Sequence, residues 1–260
     1  MTNPSVVSVD SEGDILQLEL NRPQVRNAFD EETILSITQV FESPPKPWKS
    51  YRVVVIQAKG KSFCAGGDLN WMKRSVTLSR EENLKDTRQL AQMFEAIRLC
   101  PLPVIASVQG AAFGGGLGVL SVCDYVVAEK KAKFCFSEVK LGLAPAVISP
   151  YVIAKIGKAH AKALFLTAEV FDASKAYQLG LVHQLVESSN DLKQAKLKIL
   201  DQIRLTGPNA SRFTKAFLNE SSENKSVFDY AEDLATLRTS EEGQEGVKAF
   251  LEKRKPQWSA

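Results

Sequence analysis

The 260-residue sequence contains few cysteines, only two histidines and almost no net charge. Its four cysteines, Cys64, Cys100, Cys123 and Cys135, lie in apolar or glycine-rich contexts without metal-type spacing. This favours reduced thiols over a metal site or a disulfide framework. A formal net charge of +3 without a concentrated basic stripe argues against a nucleic-acid partner.

Long apolar runs and targeting signals are also absent from the sequence. No apolar run approaches the roughly 20 residues of a membrane span, so we expect no membrane partner. Residues 1–10 lack both the apolar core of a secretory signal and the character of a transit peptide, and we expect a cytoplasmic protein. A composition of 44% hydrophobic and 24% charged residues is typical of a globular protein with a sizeable core.

Strand and helix signals alternate through most of the chain. Leu16–Leu20 has the period of two that is typical of a half-buried strand, and Val53–Ile56 indicates a strand covered on both faces. Val104–Val108 is a further strand candidate. From about Asp191, four helical patterns follow one another, with interruptions at Gly207-Pro208, at Ser221–Lys225 and near Gly243. The pattern predicts an α/β protein with a core over residues 1–195 and a helical region over residues 196–260.

Two glycine-rich segments each follow a strand-like run. Phe63-Cys-Ala-Gly-Gly-Asp-Leu69 follows Arg52–Gln57, and Gly110-Ala-Ala-Phe-Gly-Gly-Gly-Leu-Gly118 follows Val104–Val108. Glycine allows positive φ and the close approach of a ligand to the main chain. Free N–H groups from two such segments can stabilise an oxyanion. The alternatives are purely structural glycine and a phosphate loop, but the second segment lacks the ending of a P-loop and the spacing of a dinucleotide fingerprint.

Three residues near these segments are candidates for chemistry. Glu138, twenty residues after Gly118, is the candidate proton carrier, and its alternative is an exposed residue at a strand–helix junction. Burial beside an apolar channel would raise its pKa toward the range useful for proton transfer. Asp68 could be a second acid, but we favour a role as helix N-cap. Trp71 could line a pocket or pack in the core.

Together, these segments resemble the crotonase (enoyl-CoA hydratase/isomerase) superfamily. Further matches are Asn21-Arg-Pro23, Phe136-Ser-Glu-Val-Lys-Leu-Gly142, Asp172-Ala-Ser-Lys-Ala-Tyr-Gln-Leu-Gly-Leu-Val182 and Ala249-Phe-Leu-Glu-Lys-Arg-Lys255, in register from about residue 14 to residue 255. The resemblance implies an α/β fold with a spiral of ββα turns. It also implies a C-terminal helical region that builds homotrimers, commonly paired into hexamers.

The resemblance further implies roles for single residues. The backbone N–H groups of Gly67 and Gly115 would hold the thioester carbonyl of an acyl-CoA, and Glu138 would be the acid/base. Contacts to CoA are implied for Val25, Arg26, Ala28, Ala65, Leu69, Phe250 and Lys253, the last two often serving a neighbouring subunit. CoA arrives as part of the substrate, so we expect neither a separate cofactor nor a metal.

The sequence departs from the family in two places. Standard hydratases carry a second glutamate two residues after the glycine triplet, where this chain has Gly118. In addition, Leu143-Ala-Pro-Ala-Val-Ile-Ser-Pro150 replaces a Gly-Gly-Thr-Gln type segment. This replacement, with Asp68-Leu-Asn-Trp-Met72, is most similar to a bacterial subgroup that is assigned to hydrating methylglutaconyl-CoA and carboxygeranoyl-CoA.

The sequence thus predicts an enoyl-CoA hydratase for a branched or carboxylated 2-enoyl-CoA such as 3-methylglutaconyl-CoA. A Δ3,Δ2-enoyl-CoA isomerase with a single catalytic glutamate is the alternative. A more distant one is a non-catalytic CoA-binding or RNA-binding member of the superfamily. RNA binding would need a lysine-lined helix, for which Lys193–Lys198 is too short, while acidic residues offset the basic ones in Ser79–Leu99.

Overall fold

The structure is a computed structural model that describes residues 5–220 and 226–259. In these ranges the strands are β1 (Val7–Glu12), β2 (Ile15–Leu20), β3 (Val53–Ala58), β4 (Val104–Val108), β5 (Ala111–Phe113), β6 (Tyr125–Glu129), β7 (Lys133–Cys135), β8 (Phe171–Asp172) and β9 (Gln184–Val186). The first seven helices are α1 (Glu31–Glu42), α2 (Leu69–Ser75), α3 (Arg80–Arg98), α4 (Gly115–Val122), α5 (Ser149–Ile156), α6 (Lys158–Thr167) and α7 (Ala173–Gln178). The C-terminal helices are α8 (Ser189–Arg204), α9 (Pro208–Asn219), α10 (Val227–Thr239) and α11 (Glu241–Leu251). The predicted interruption at Ser221–Lys225 lies outside the described residues.

The strands form two sheets that share the turns of a spiral. The larger sheet has the order β1-β2-β3-β4-β6-β9 and is parallel except for the β1–β2 hairpin. The smaller sheet has the order β5-β7-β8, and a bridge between Cys64 and Ala112 extends it by one residue. Three successive turns place one segment in each sheet before a helix follows, namely β3 with Cys64, β4 with β5, and β6 with β7, which confirms the predicted ββα spiral.

Burial explains why these runs form strands and helices. Val54 and Ile56 of β3 point into the main core, which α1 and α3 cover, whereas Val53 and Val55 point to a second core under α8. Because both of their faces are buried, β3 and β4 are almost wholly apolar, which confirms the predicted burial of both faces of β3. Strand β1 was not predicted from the sequence. Only Val7 of β1 is buried, and pairing with β2 defines this edge strand.

The C-terminal helices leave many apolar side chains exposed. Helix α11 packs on α9 and α10, and the exposed apolar residues of this region are Leu205, Leu218, Val227, Phe228, Leu234, Val247, Phe250 and Leu251. The division into residues 1–195 and 196–260 stays a prediction, and α8 runs across it. Among the described helices, none is long and apolar enough to cross a membrane.

Candidate active site

The first glycine segment is held by a short ladder of backbone hydrogen bonds. Ala65 N–H donates to Arg26 O (3.0 Å), Phe29 N–H to Gly66 O (2.8 Å), and Asp68 N–H to Phe29 O (2.8 Å). In a trans peptide the C=O and N–H point in opposite directions. Since Gly66 O points at Phe29, the N–H of Gly67 points away from the ladder. It has no hydrogen-bond partner within residues 5–220 and 226–259.

The second glycine segment fixes another N–H in the same way. Gly114 has φ of 49°, which favours glycine, and its carbonyl accepts from Leu117 N–H (2.9 Å) and Gly118 N–H (3.2 Å) at the start of α4. The N–H of Gly115, on the other side of that peptide, therefore points out of the helix N-terminus. It also lacks a hydrogen-bond partner in the described part of the chain.

The fold places the two segments beside each other and beside Glu138. A Cβ atom built on Gly114 would lie 3.8 Å from Gly66 Cα and 3.5 Å from Glu138 Oε1. Phe29 links the segments, because its N–H binds Gly66 O and its ring lies 3.1 Å from a Cβ built on Gly115. Two free N–H groups and one carboxylate thus lie close together, as an oxyanion site with a proton carrier requires.

Glu138 is a half-buried carboxylate at the start of a 3-10 turn that runs to Leu141. Its Oε2 atom is buried and, among the described residues, has no hydrogen-bond partner. Burial raises the pKa of Glu138, and a hydrogen bond from its own backbone N–H offsets only part of that increase. The geometry agrees with the predicted environment of Glu138; its catalytic role stays a prediction.

Gly118 is enclosed by apolar side chains. A Cβ built there would lie 2.5 Å from Ile148 Cγ2 and 2.6 Å from Phe94 Cζ, far inside normal contact distance. Both side chains are buried, and Ile148 belongs to the segment that departs from the family pattern. The two departures therefore meet in the fold, because Ile148 packs against Gly118, the position where the resemblance implies a second glutamate in standard hydratases.

Asp68 is fully engaged by hydrogen bonds and an ion pair. Its Oδ1 accepts from Asn70 N–H (2.8 Å) at the start of α2, and its Oδ2 pairs with Arg22 Nη2 (3.0 Å). Burial raises the pKa of Asp68, but the hydrogen bonds and the charge of Arg22 outweigh it and hold the pKa below its ordinary value. The predicted N-cap is confirmed, and both carboxylate oxygens are occupied.

Trp71 lies on α2, against the first glycine segment. Its Cε3 and Cζ3 atoms lie 3.5 Å from a Cβ built on Gly67, at the same distance as Met72 Cγ. Trp71 is partly buried and packs on the main core. The indole N–H is buried and has no hydrogen-bond partner in the described structure. Trp71 thus forms part of the wall beside Gly67 as well as part of the core.

Five of the predicted CoA contacts lie along the first ladder. Val25 ends a 3-10 turn and is exposed, Arg26 follows it with φ of 54°, and Ala28 is buried next to Phe29. Ala65 is joined to Arg26 by a backbone hydrogen bond, and Leu69 starts α2 with its side chain exposed. The structure brings these residues together around Gly67; CoA contact stays a prediction.

The other two predicted CoA contacts lie apart from this ladder. Phe250 is 80% exposed on α11, and Lys253 follows that helix with φ of 53°. Within the described residues, no hydrogen bond or ion pair joins either residue to the loops that carry Gly67 or Glu138. Contact of Phe250 and Lys253 with CoA stays a prediction.

Comparisons with known proteins agree with this geometry. The family model described as enoyl-CoA hydratase/isomerase matches residues 10–260. The chain belongs to the enoyl-CoA hydratase/isomerase family. A solved enoyl-CoA hydratase from Shewanella pealeana superposes with a TM-score of 0.90 at 40% identity, with 97% of this chain and 96% of that chain covered. The predicted membership of the crotonase superfamily, and with it the prediction of an enzyme, is confirmed.

Two curated relatives of this family member are hydratases for named substrates. The mevalonyl-coenzyme A hydratase of Aspergillus fumigatus is 34% identical, over 94% of this chain and 91% of its own length. The 2,3-dehydroadipyl-CoA hydratase of Escherichia coli is 32% identical, over 93% and 94%.

Sequence reasoning missed the residues that support the site. Phe29 and Phe94 were not singled out, since an apolar residue that packs behind a glycine looks like any other core residue in a sequence. Arg22 was seen only as part of the matching motif Asn21-Arg-Pro23, and no sequence signal indicated its contacts with Asp30 and Asp68. No group of three or more His, Cys, Asp or Glu side chains in residues 5–220 and 226–259 could hold a metal ion.

Proposed function

We propose that this protein is an enoyl-CoA hydratase that adds water across the double bond of a 2-enoyl-CoA. The observation that carries the proposal is the meeting of two outward-facing N–H groups, of Gly67 and Gly115, with the half-buried carboxylate of Glu138. Family membership and the named activities of the relatives support the same reaction.

In this mechanism Glu138 moves one proton twice. The carboxylate takes a proton from water as the water oxygen bonds to C3, and the electron pair of the double bond moves toward the thioester carbonyl. The resulting enolate oxygen accepts hydrogen bonds from Gly67 and Gly115. Glu138 then returns the proton to C2, the carbonyl re-forms, and the product is a 3-hydroxyacyl-CoA. A raised pKa suits a group that must both accept and donate a proton.

CoA would enter as part of the substrate, along the ladder that holds Val25, Arg26, Ala28, Ala65 and Leu69. Arg26 is basic and suits phosphate groups, and the exposed Leu69 suits the pantetheine chain. Phe250 and Lys253 would complete the nucleotide pocket of a neighbouring subunit. The exposed apolar residues of α9–α11 support a homotrimer or a pair of trimers, because large apolar patches mark interfaces. Light scattering on the purified protein measures this directly.

The acyl chain we propose is branched or carboxylated, as in 3-methylglutaconyl-CoA. The resemblance of the Leu143–Pro150 segment supports this choice. So do the names of the two relatives, since the mevalonyl group is methyl-branched and the dehydroadipyl group carries a second carboxyl. We also propose that the protein is cytoplasmic and acts in the breakdown of such acyl groups.

A Δ3,Δ2-enoyl-CoA isomerase is the second candidate, and one observation favours it. Phe94 and Ile148 enclose Gly118, where a second glutamate would lie. The oxygens of Asp68 are engaged by Asn70 and Arg22, so Glu138 is the carboxylate available for proton transfer. One carboxylate is enough to take a proton from C2 of a 3-enoyl-CoA and deliver it to C4.

Absorbance at the enoyl-thioester band separates the two reactions. We expect 3-methylglutaconyl-CoA to lose the band and gain the mass of water, faster than crotonyl-CoA does. If neither substrate is hydrated but the band appears from a 3-enoyl-CoA without a change of mass, the protein is an isomerase. If none of the three reacts, both proposals are wrong.

A further inference from the structure

We propose that Arg22 is a positioning residue that sets the direction of the Gly67 N–H group; this rests on the function proposed above. Arg22 lies two residues after the end of β2, and its side chain is only 16% exposed. Its guanidinium reaches three groups on two loops. Nη1 donates to Ala28 O (2.7 Å), and Nη2 contacts Asp30 Oδ2 (2.9 Å) and Asp68 Oδ2 (3.0 Å).

These contacts flank the ladder that aims Gly67. Ala28 and Asp30 are the neighbours of Phe29, whose N–H fixes Gly66 O, and Asp68 is the neighbour of Gly67. The guanidinium therefore ties the residues on both sides of the Phe29–Gly67 bridge to one rigid group. A rotation of the Gly66–Gly67 peptide would have to break or stretch one of these contacts.

The chemistry of the contacts requires arginine. The planar guanidinium presents several donors in a fixed fork, so it serves a carbonyl and two carboxylates in different directions at once. An ammonium group is a single point charge and does not reproduce this fork. Without the cation, the carboxylates of Asp30 and Asp68 would face each other and repel, which would push the two loops apart.

The experiment compares Arg22→Lys with the wild-type protein in steady-state kinetics on the accepted 2-enoyl-CoA. Because an oxyanion donor acts mainly in the transition state, we expect kcat to fall roughly 10- to 100-fold, while KM changes by less than about threefold. A purely structural role would lower the amount of folded enzyme without this split.

A second readout reports the donor itself. In a Glu138→Gln background, which prevents turnover, the ¹³C shift of the carbonyl of bound [1-¹³C]crotonyl-CoA measures its polarisation by the two N–H groups. We expect a downfield shift in Glu138→Gln, and loss of roughly half of it when Arg22→Lys is added. If Arg22→Lys does not fold, Asp30→Asn takes its place as the test variant. This substitution keeps an N-cap for α1 but weakens the contact to Arg22 Nη2. It should then reduce the shift in the same direction.

Arg204→Lys is the matched control. Arg204 also forms a forked ion pair, with Asp14, and contacts a second carboxylate, that of Asp201. These contacts join α8 to the β1–β2 turn and include none of the site residues described above. It should leave kcat and the carbonyl shift within about twofold of the parent. A downfield shift that survives Arg22→Lys unchanged overturns the role of Arg22 alone. No downfield shift in the Glu138→Gln parent overturns the proposed oxyanion site as well.

Discussion

The two glycine segments present the same chemical group, a free backbone N–H, but the protein holds them by different means. The loop of Gly67 is held by polar contacts, a three-bond ladder and the ion pairs of Arg22, which we call the polar brace. Trp71 and Met72 lie beside Gly67 at ordinary contact distance. Around Gly115 and Gly118 the surrounding side chains are apolar, namely Phe29, Phe94 and Ile148. The polar brace fixes the direction of the Gly67 N–H group and leaves space for an added methyl group. The close packing around Gly118 leaves no such space.

The space available for an added side-chain atom differs between the glycines accordingly. A Cβ on Gly67 would meet Trp71 and Met72 at an ordinary 3.5 Å, one on Gly115 would meet Phe29 at 3.1 Å, and one on Gly118 would meet Ile148 at 2.5 Å. We therefore expect the tolerance for added atoms to fall along this series.

Restoring the second glutamate should have the largest effect. Gly118→Glu forces a side chain against Phe94 and Ile148 and buries an unpaired charge, so we expect the free energy of unfolding to fall by more than about 3 kcal/mol. Gly118→Ala, which adds the Cβ alone, should cost about 2 kcal/mol. Urea unfolding measures both. A Gly118→Glu protein as stable as wild type would show that this region is not closely packed.

The double variant Gly118→Ala/Ile148→Ala sharpens this test. Ile148→Ala removes the methyl group that lies 2.5 Å from the new Cβ. The cost of the double variant should be smaller than the sum of the single costs by about 1 kcal/mol, because residues in contact are not additive. If the two stability costs simply add, the strain that Gly118→Ala causes does not come from its contact with Ile148.

Removing a charge from the polar brace should have a moderate effect. Asp68→Asn keeps an N-cap for α2 but loses the charge partner of Arg22, so we expect a loss of about 1–2 kcal/mol at pH 7. The pKa of Asp68 is lowered in the folded protein. Its contribution is therefore complete above the ordinary aspartate pKa and is lost as the pH falls through the lower folded pKa. Urea unfolding at neutral and acidic pH measures this; a pH-independent difference would contradict the account.

A methyl group at Gly67 should have the smallest effect. Gly67→Ala makes only ordinary contacts, and Gly67 is not in the left-handed region of φ. We expect the free energy of unfolding to stay within about 0.5 kcal/mol of wild type, since no mechanism for a large loss is present. Thermal unfolding, read alongside Gly118→Ala, checks the contrast. Equal losses of stability in Gly67→Ala and Gly118→Ala would show that the polar brace leaves no more space than the close packing does.

The fold was largely predictable from the sequence, because a doubly buried strand such as β3 is a continuous apolar run and the C-terminal helices have clear helical patterns. The glycine segments were visible for a similar reason, since Gly66 and Gly114 need positive φ. The support of the site was not readable. The contact of Phe94 with Gly118 joins residues far apart in the chain, and nothing in either local sequence encodes it.

The central claim is that Glu138 is the proton carrier at a site with two N–H donors. The most direct test is the pH dependence of kcat/KM on the accepted enoyl-CoA for wild type, Glu138→Gln and Asp68→Asn. We expect Glu138→Gln to lose roughly 10²- to 10⁴-fold in rate with thioester binding retained, and Asp68→Asn to lose no more than about tenfold. The wild-type rate should fall on the acid side at a pH above the ordinary glutamate pKa, because burial raises the pKa of Glu138 and only the carboxylate accepts a proton. A Glu138→Gln enzyme whose rate stays within tenfold of wild type, or a rate loss in Asp68→Asn of more than about tenfold, would contradict this role of Glu138.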